Sequence, residues 1–253
     1  MSNDQKNIVV CCPNWVGDVI MSTPALRCFR SNFPKSRIFA VIRKYAYGVI
    51  ESGPWFDKVI TIDDKTLIGM IRLVRKIREI RPDMAIVLPN SFRSALIMKI
   101  AGVNNIYGYY INQRSFLLTG GPVPVSLDNK AVPCPMLKYY LEICRWLRLD
   151  LPTLPRPEIF ISEAVQTKAN QLLDQYGIEE RDLVIGFNPG AKFGSSKCWP
   201  PEYFAKLAEL IEERWPARIL LFVGPGEEDI AKNIIESTKV HVISRGPDQI
   251  DQS

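Results

Sequence analysis

Five apolar residues in a row, Ile8-Val9-Val10-Cys11-Cys12, three of them β-branched, run without polar alternation into Pro13-Asn14-Trp15-Val16-Gly17-Asp18. A strand with one wet face alternates, so an unbroken apolar run of this length reads as a strand covered on both faces, as in a parallel sheet. The segment from Val19 onward reads as a helix, and the strand-to-helix turn therefore falls at Asn14 to Asp18. Ligands of open α/β sheets bind outside the carboxyl ends of the strands, which puts Asp18 where chemistry occurs. Two readings of Asp18 stand side by side. Asp is a strong N-cap residue that suits the positive end of the helix dipole, and it is also a carboxylate at the functional edge of the sheet. Gly17 before it allows a close backbone approach or a positive φ.

The pattern repeats along the chain. Strands are expected at 37–43, 58–62, 84–88 and 106–110, separated by helix-sized segments. Leu67, Met70, Ile71, Val74, Ile77 and Ile80 recur at three- and four-residue spacing, an amphipathic helix that Pro82 closes. Strands alternating with helices imply right-handed crossovers and a parallel, doubly wound sheet. The fourth strand ends in Pro89-Asn90-Ser91-Phe92-Arg93, where Asn90 or Ser91 can cap the helix at 95–101. Arg93 in a first helical turn opposes the dipole, so an anionic partner explains it better than helix stability does. A helix over 136–147 precedes an extended connector with prolines at 152, 155 and 157. A helix over 162–176, with Gly177 as its C-cap, then leads into a second α/β pattern: strands at 183–187, 218–223 and 239–243 and a helix from Pro201 to about Arg214. The expected domains are 1–160 and 161–253.

Several function classes are set aside by composition. The 253 residues are 47% hydrophobic and 23% charged, values of a globular chain with substantial cores. No apolar run is long enough to span a bilayer, and the polar start has no signal-peptide core, so a cytoplasmic location is expected. Six scattered cysteines without a CxxC spacing and a single histidine, His241, argue against a disulfide framework, a metal site or a histidine-based triad. The net charge is +5, and basic residues stand near expected strand ends and loops at Arg43, Lys44, Arg93, Arg114, Lys192 and Lys197. Those positions suit an anionic ligand such as phosphate. Nucleic acid is not expected, because no dense basic stripe with interleaved aromatics occurs. The turn Asn188-Pro189-Gly190-Ala191-Lys192-Phe193-Gly194-Ser195-Ser196-Lys197 is not a P-loop, and GPGEED at 224–229 is not a dinucleotide fingerprint. Backbone N–H groups of such a Gly-rich turn, with a lysine, can still hold a diphosphate. Trp15, Phe92 and Trp199 near the turns could stack on a sugar or base, or simply pack under loops.

Four stretches together resemble the ADP-heptose:lipopolysaccharide heptosyltransferases, glycosyltransferase family 9: PNWVGDVIMSTPAL (13–26), VLPNSFRSAL (87–96), IGFNPGAKFGSSKCWPPEYFAKLAELI (185–211) and LLFVGPGEED (220–229). The resemblance implies an α/β fold of GT-B type, with two Rossmann-like domains, the first for the lipid-sugar acceptor and the second for the nucleotide-sugar donor. It implies Asp18 as catalytic base, and Gly190, Ala191, Lys197 and Glu228, with Glu227 as the neighbouring alternative, on the donor side. Asn14, Ser91 and Arg93 fall on the acceptor side. The implied reaction is inverting transfer of heptose from ADP-heptose to the heptosyl-Kdo2-lipid A core, with neither metal nor other cofactor, and with peripheral contact at the inner face of the inner membrane.

The family pattern also includes a stretch of the form Asp-Ser-Gly-x-x-His that lines the donor pocket, and no such stretch occurs here. The second domain is accordingly expected to be incomplete. A shortened, non-catalytic remnant or binding protein is the alternative reading. A nucleotide-dependent oxidoreductase or kinase on the same fold is disfavoured, because both Gly-rich fingerprints are missing.

Overall fold

The structure is a computed structural model that describes residues 5–62, 66–127, 130–191 and 195–245. Their contacts divide into two compact units, Met1–Ser162 and Glu163–Ser253.

The first unit is built on five parallel strands: β1 (Asn7–Cys11), β2 (Arg37–Arg43), β3 (Lys58–Ile62), β4 (Met84–Val87) and β5 (Asn105–Gly108). Their order is β3-β2-β1-β4-β5. The expected double cover of β1 is found: Ile8, Val9 and Val10 have no exposed surface. Burial of each such side chain stabilises by about 1.5–3 kcal/mol relative to exposure. Three helices carry crossovers, α1 (Val16–Asn32), α2 (Leu67–Ile80) and α3 (Phe92–Ile100); a 3-10 turn, Lys44–Val49, joins β2 to β3, and α4 (Met136–Trp146) follows the last strand of the sheet. One face of the sheet packs on α1 and α4 through Leu26, Phe29, Leu141 and Cys144. The other packs on α2 and α3 through Leu73, Ile77, Ala95 and Met98.

α1 starts earlier than the sequence suggests. Trp15, with extended φ and ψ, is the N-cap and makes no side-chain cap bond, so Asp18 lies inside the first turn and is not the cap. Gly17 is helical and has no positive φ, and a Cβ there would meet no other protein atom within 4 Å. Asn14, Gly17 and Asp18 make 14–18 look like a turn in the sequence, but the helix, with Val19, Leu26 and Phe29 buried along one face, already includes Val16 and Gly17. Pro24 interrupts the same helix, and it lacks the N–H that Ile20's carbonyl would otherwise accept. The neighbouring Thr23 hydroxyl donates to that carbonyl at 2.8 Å, and also accepts from the Glu158 N–H at 2.9 Å. The connector after α4 is thereby held against α1, where Arg27 pairs with Glu158 and Phe160 meets the buried Trp55 edge-on at 5.4 Å.

After β5, a bridge from Tyr107 to Gly120 carries the chain alongside that strand. A two-stranded hairpin, β6 (Ser126–Leu127) and β7 (Lys130–Ala131), follows. The second unit opens with α5 (Glu163–Gln175), none of whose residues is buried. It continues as β8 (Leu183–Phe187), α6 (Pro201–Glu212), β9 (Ala217–Phe222), α7 (Glu228–Glu236) and β10 (Val242–Arg245). The three strands are parallel in the order β10-β9-β8, around a core that includes Phe187, Ala208, Ile219, Leu221 and Ile234. β10 begins three positions beyond the expected 239.

Thr23→Val keeps the side-chain shape but removes both hydrogen bonds. Urea unfolding is expected to show a loss of about 1–3 kcal/mol, and an unchanged midpoint would mean the proline break in α1 is satisfied in another way.

Candidate functional site

Strand order alone singles out one place in the first unit. The chain lays β2 and β3 to one side of β1, then returns to place β4 on its other side. Crossovers leave a crevice at such a reversal, above the carboxyl ends of the two strands. The turns leaving β1 and β4 flank that crevice, and they are those of Asn14–Asp18 and of Pro89–Arg93. They are adjacent in space, since the Leu88 N–H donates to the Cys11 carbonyl at 3.1 Å.

On the β1 side, the Asn14 carboxamide oxygen accepts from Arg43 Nε at 3.0 Å, and the Asn14 backbone carbonyl accepts from the Tyr45 hydroxyl. Residues from the carboxyl end of β2 thus hold the turn in place. Asp18 is half-buried, and among the described residues its carboxylate has no hydrogen-bond or ion-pair partner. Burial raises its pKa above the ordinary aspartate value. Its charge adds to burial in raising the pKa of the Tyr140 hydroxyl on α4. A carboxylate that is partly desolvated, unpaired and at the mouth of a crevice is suited to accept a proton.

The β4 side depends on a residue whose role the sequence did not disclose. Arg114, expected as a ligand for an external anion, is instead fully buried. It donates to the Pro89 carbonyl, to the Ser91 carbonyl at 3.3 Å, to the Tyr109 carbonyl at 3.0 Å and to the Asn90 side chain at 3.4 Å. No described carboxylate pairs with it, and burial lowers its pKa from the ordinary arginine value. Asn90 and the Tyr139 hydroxyl are also hydrogen-bonded to each other, at 2.8 and 3.1 Å. Tyr139 stacks on Tyr109 with ring centroids 3.8 Å apart. Asn112 and Gln113, both at positive φ, close the β5 loop, and the Asn112 side chain donates to the Asn90 carbonyl at 2.9 Å. Such left-handed residues persist only where their surroundings fix them. Ser91 proves to be the N-cap of α3, accepting from the Ser94 N–H at 3.2 Å. Arg93 is exposed in the first turn of that helix, and Trp15 and Phe92 also stand in solvent.

In the second unit, the turns leaving β8 and β9 meet. A Cβ on Gly190 would lie 1.9 Å from a carboxylate oxygen of Glu227, so only glycine fits there without displacing that side chain. The same Glu227 oxygen accepts from the Gly224 N–H at 2.8 Å. Glu228, one residue on, is exposed; its carboxylate accepts from the Gly226 N–H at 3.1 Å, and backbone N–H groups lower its pKa. Of the two acids, Glu227 is therefore the one joined to the Gly190 turn. Ala191 is half-buried, and Lys197 is exposed at the end of a short 3-10 turn, Ser195–Lys197. Lys192, Phe193 and Gly194 lie outside the described residues. Asp18 and Lys197 belong to different units, and each is placed only within its own. Among the described residues, no three His, Cys, Asp or Glu side chains come together as a metal would require.

A family model described as glycosyltransferase family 9 (heptosyltransferase) matches residues 70–245. The chain belongs to this family. It is 30% identical over 236 residues to lipopolysaccharide heptosyltransferase 2 of Escherichia coli K12 and covers 66% of that protein, the match taking in 90% of the present chain. It is 32% identical over 237 residues to lipooligosaccharide heptosyltransferase 2 of Haemophilus ducreyi, with the same coverage of each. The present chain thus spans 66% of the length of these relatives. Among solved structures, E. coli ADP-heptose LPS heptosyltransferase II matches with a TM-score of 0.78 and 28% identity, over 97% of this chain and 74% of that one. A family 9 glycosyltransferase from Veillonella parvula matches with a TM-score of 0.84 and 25% identity, over 98% and 71%. The fold class is α/β of GT-B type, with a C-terminal portion shorter than that of these family members.

Arg114→Met would remove the hydrogen bonds that the guanidinium donates to the Pro89, Ser91 and Tyr109 carbonyls and to the Asn90 side chain. Chemical denaturation is expected to show a loss of about 2–4 kcal/mol, with little recovery in Arg114→Lys because an ammonium cannot reproduce the fork. Equal stability of wild type and Arg114→Met would show that the arginine does not hold the β4 turn.

Proposed function

We propose that the chain carries out inverting glycosyl transfer, moving heptose from ADP-heptose to a heptosyl-Kdo2-lipid A acceptor. Membership in family 9 supports the reaction class over a non-catalytic remnant. The observation that carries the mechanism is the partly desolvated Asp18 carboxylate at the strand-order reversal, which has no hydrogen-bond or ion-pair partner among the described residues. In this reading the first unit takes the acceptor, near Asn14, Ser91 and Arg93, and the second takes the donor. Asp18 accepts the proton of the acceptor hydroxyl as that oxygen forms its bond to the heptose C1 carbon. The bond from C1 to the diphosphate oxygen breaks, and its electron pair leaves on ADP. Lys197 and the backbone N–H groups near Gly190 and Ala191 hold the charge that grows there, while Glu227 keeps the Gly190 turn shaped and Glu228 faces the nucleoside. No metal or other cofactor enters these steps. The expected setting is the cytoplasmic side of the inner membrane, with peripheral contact, since the acceptor is a lipid and no described helix is long and apolar enough to cross a bilayer.

The test is Asp18→Asn, read by ADP release in the presence of both substrates and by calorimetry with ADP. Turnover is expected to fall about 10²–10⁴-fold, with the affinity for ADP unchanged. Unchanged turnover would remove Asp18 as the base, and a parallel loss of ADP binding would move it to the donor side.

A further inference from the structure

β2 and β3 start side by side at the amino edge of the first sheet, with Phe39 opposite Lys58 in the ladder. That edge faces away from the crevice: Arg37 stands beside Asn7 at the start of β1, whereas the Asp18 turn follows the end of that strand. Side chains alternate along a strand, so Arg37 shares the face of Phe39, and Lys58 shares the face of Ile60. Phe39 and Ile60 are buried in the core that α2 covers, so both cations emerge on the α2 side. α2 runs back to this edge before β4 begins, and it carries Lys76 and Glu79 three positions apart on one side of the helix. These six residues, from three elements, are among those that line one open cavity of about 470 Å³.

Each of these charges alone is an ordinary solvated side chain. Together, three cations share the cavity with one acid, an excess of two positive charges in a concave site. Among the described residues, none of Arg37, Lys58, Lys76 and Glu79 has an ion-pair partner. Asp57, next to Lys58 and near enough to feel the charge of Arg37, is bonded to Arg30 at 2.6 Å and to the Ile38 N–H at 2.7 Å. Arg37 is itself held in place, with its guanidinium carbon 5.4 Å from the centroid of the Phe39 ring beneath it. Like charges gathered without a counter-ion repel, a cost that a bound anion removes. The rest of the lining includes apolar surface from Phe39 and Ile60, and the volume is that of a small-molecule pocket.

We propose that this cavity binds a phosphate monoester of a small molecule. Arg37, Lys58 and Lys76 take the phosphate, whose charge of about −1.5 to −2 at neutral pH matches the positive excess. The body of the ester lies against Phe39 and Ile60. The site is separate from the crevice and does not depend on the glycosyl transfer proposed above.

The experiment is titration of the full chain with phenyl phosphate, and separately with inorganic phosphate, followed by phosphorus NMR. The variants are Arg37→Gln with Lys76→Gln, at exposed positions, and Lys197→Gln on the donor side, with folding checked by circular dichroism. Phenyl phosphate is expected to bind wild type and Lys197→Gln alike, and to bind the double variant roughly tenfold or more weakly. Lys58→Gln alone should also weaken it, and that variant takes the place of the double variant if the latter is unfolded. Inorganic phosphate should bind wild type less tightly than the ester, because it leaves the apolar lining uncovered. Equal affinity of wild type and the double variant, or no binding to wild type, would overturn the inference. So would a loss confined to Lys197→Gln, since the phosphate would then sit in the second unit. Inorganic phosphate binding as tightly as phenyl phosphate would overturn the assignment to an ester.

Discussion

β1 is hydrogen-bonded on both sides, to β2 and to β4, and the chain grows outward from it in opposite directions. Two constraints follow from that position. The strand must be apolar on both faces, which Ile8, Val9 and Val10 satisfy. No crossover can cover its carboxyl end on the β4 side, so a crevice opens there whatever the loops contain. The groups singled out in the first unit are placed by this one reversal: the Asn14–Asp18 turn, the Pro89–Arg93 turn and the arginine beneath the latter.

The two sides of the crevice are held by different means. Arg43 and Tyr45 clamp the β1 turn from the neighbouring strand end. The β4 turn is clamped from inside by Arg114, whose charge is met by carbonyl dipoles with no described carboxylate among them. Removing an arginine from water is costly, and its several hydrogen bonds must offset that cost. In return, the turn is fixed by a planar fork and not by side chains free to rotate. The cation also sits below a crevice proposed to receive an acceptor, and its field there favours negative charge.

Much of this was legible in the sequence, and the exceptions have physical causes. α2 was bounded at Leu67 and Ile80 because its apolar residues fall on one face and Pro82 follows. β2 and β3 are legible as the short runs RIFAVIR and KVITI, separated by helix-sized segments. The start of α1 is not legible: Asn14, Gly17 and Asp18 are turn formers, and only the structure shows that Val16 and Gly17 are already helical. The burial of Arg114 is illegible for a related reason. Nothing in the local sequence distinguishes an arginine aimed at solvent from one folded under a loop, although the closely spaced polar residues of Asn112-Gln113-Arg114 were a signal that the turn needed special satisfaction. The contact between Gly190 and Glu227 joins two turns far apart in the sequence, and local sequence gives no sign of it.

Asp18 is proposed to work as a base from a partly dry position. A base acts only when ionised, and burial raises this carboxyl above its ordinary value near 3.8, so the rate must rise with pH through the raised value and level off above it. The direct measurement is the pH dependence of kcat/KM for heptose transfer, which reports the ionisation of the free enzyme. The expected result is an acidic limb centred above the ordinary aspartate value, absent from the residual activity of Asp18→Asn. A limb at or below that value, or the same limb in Asp18→Asn, would contradict it.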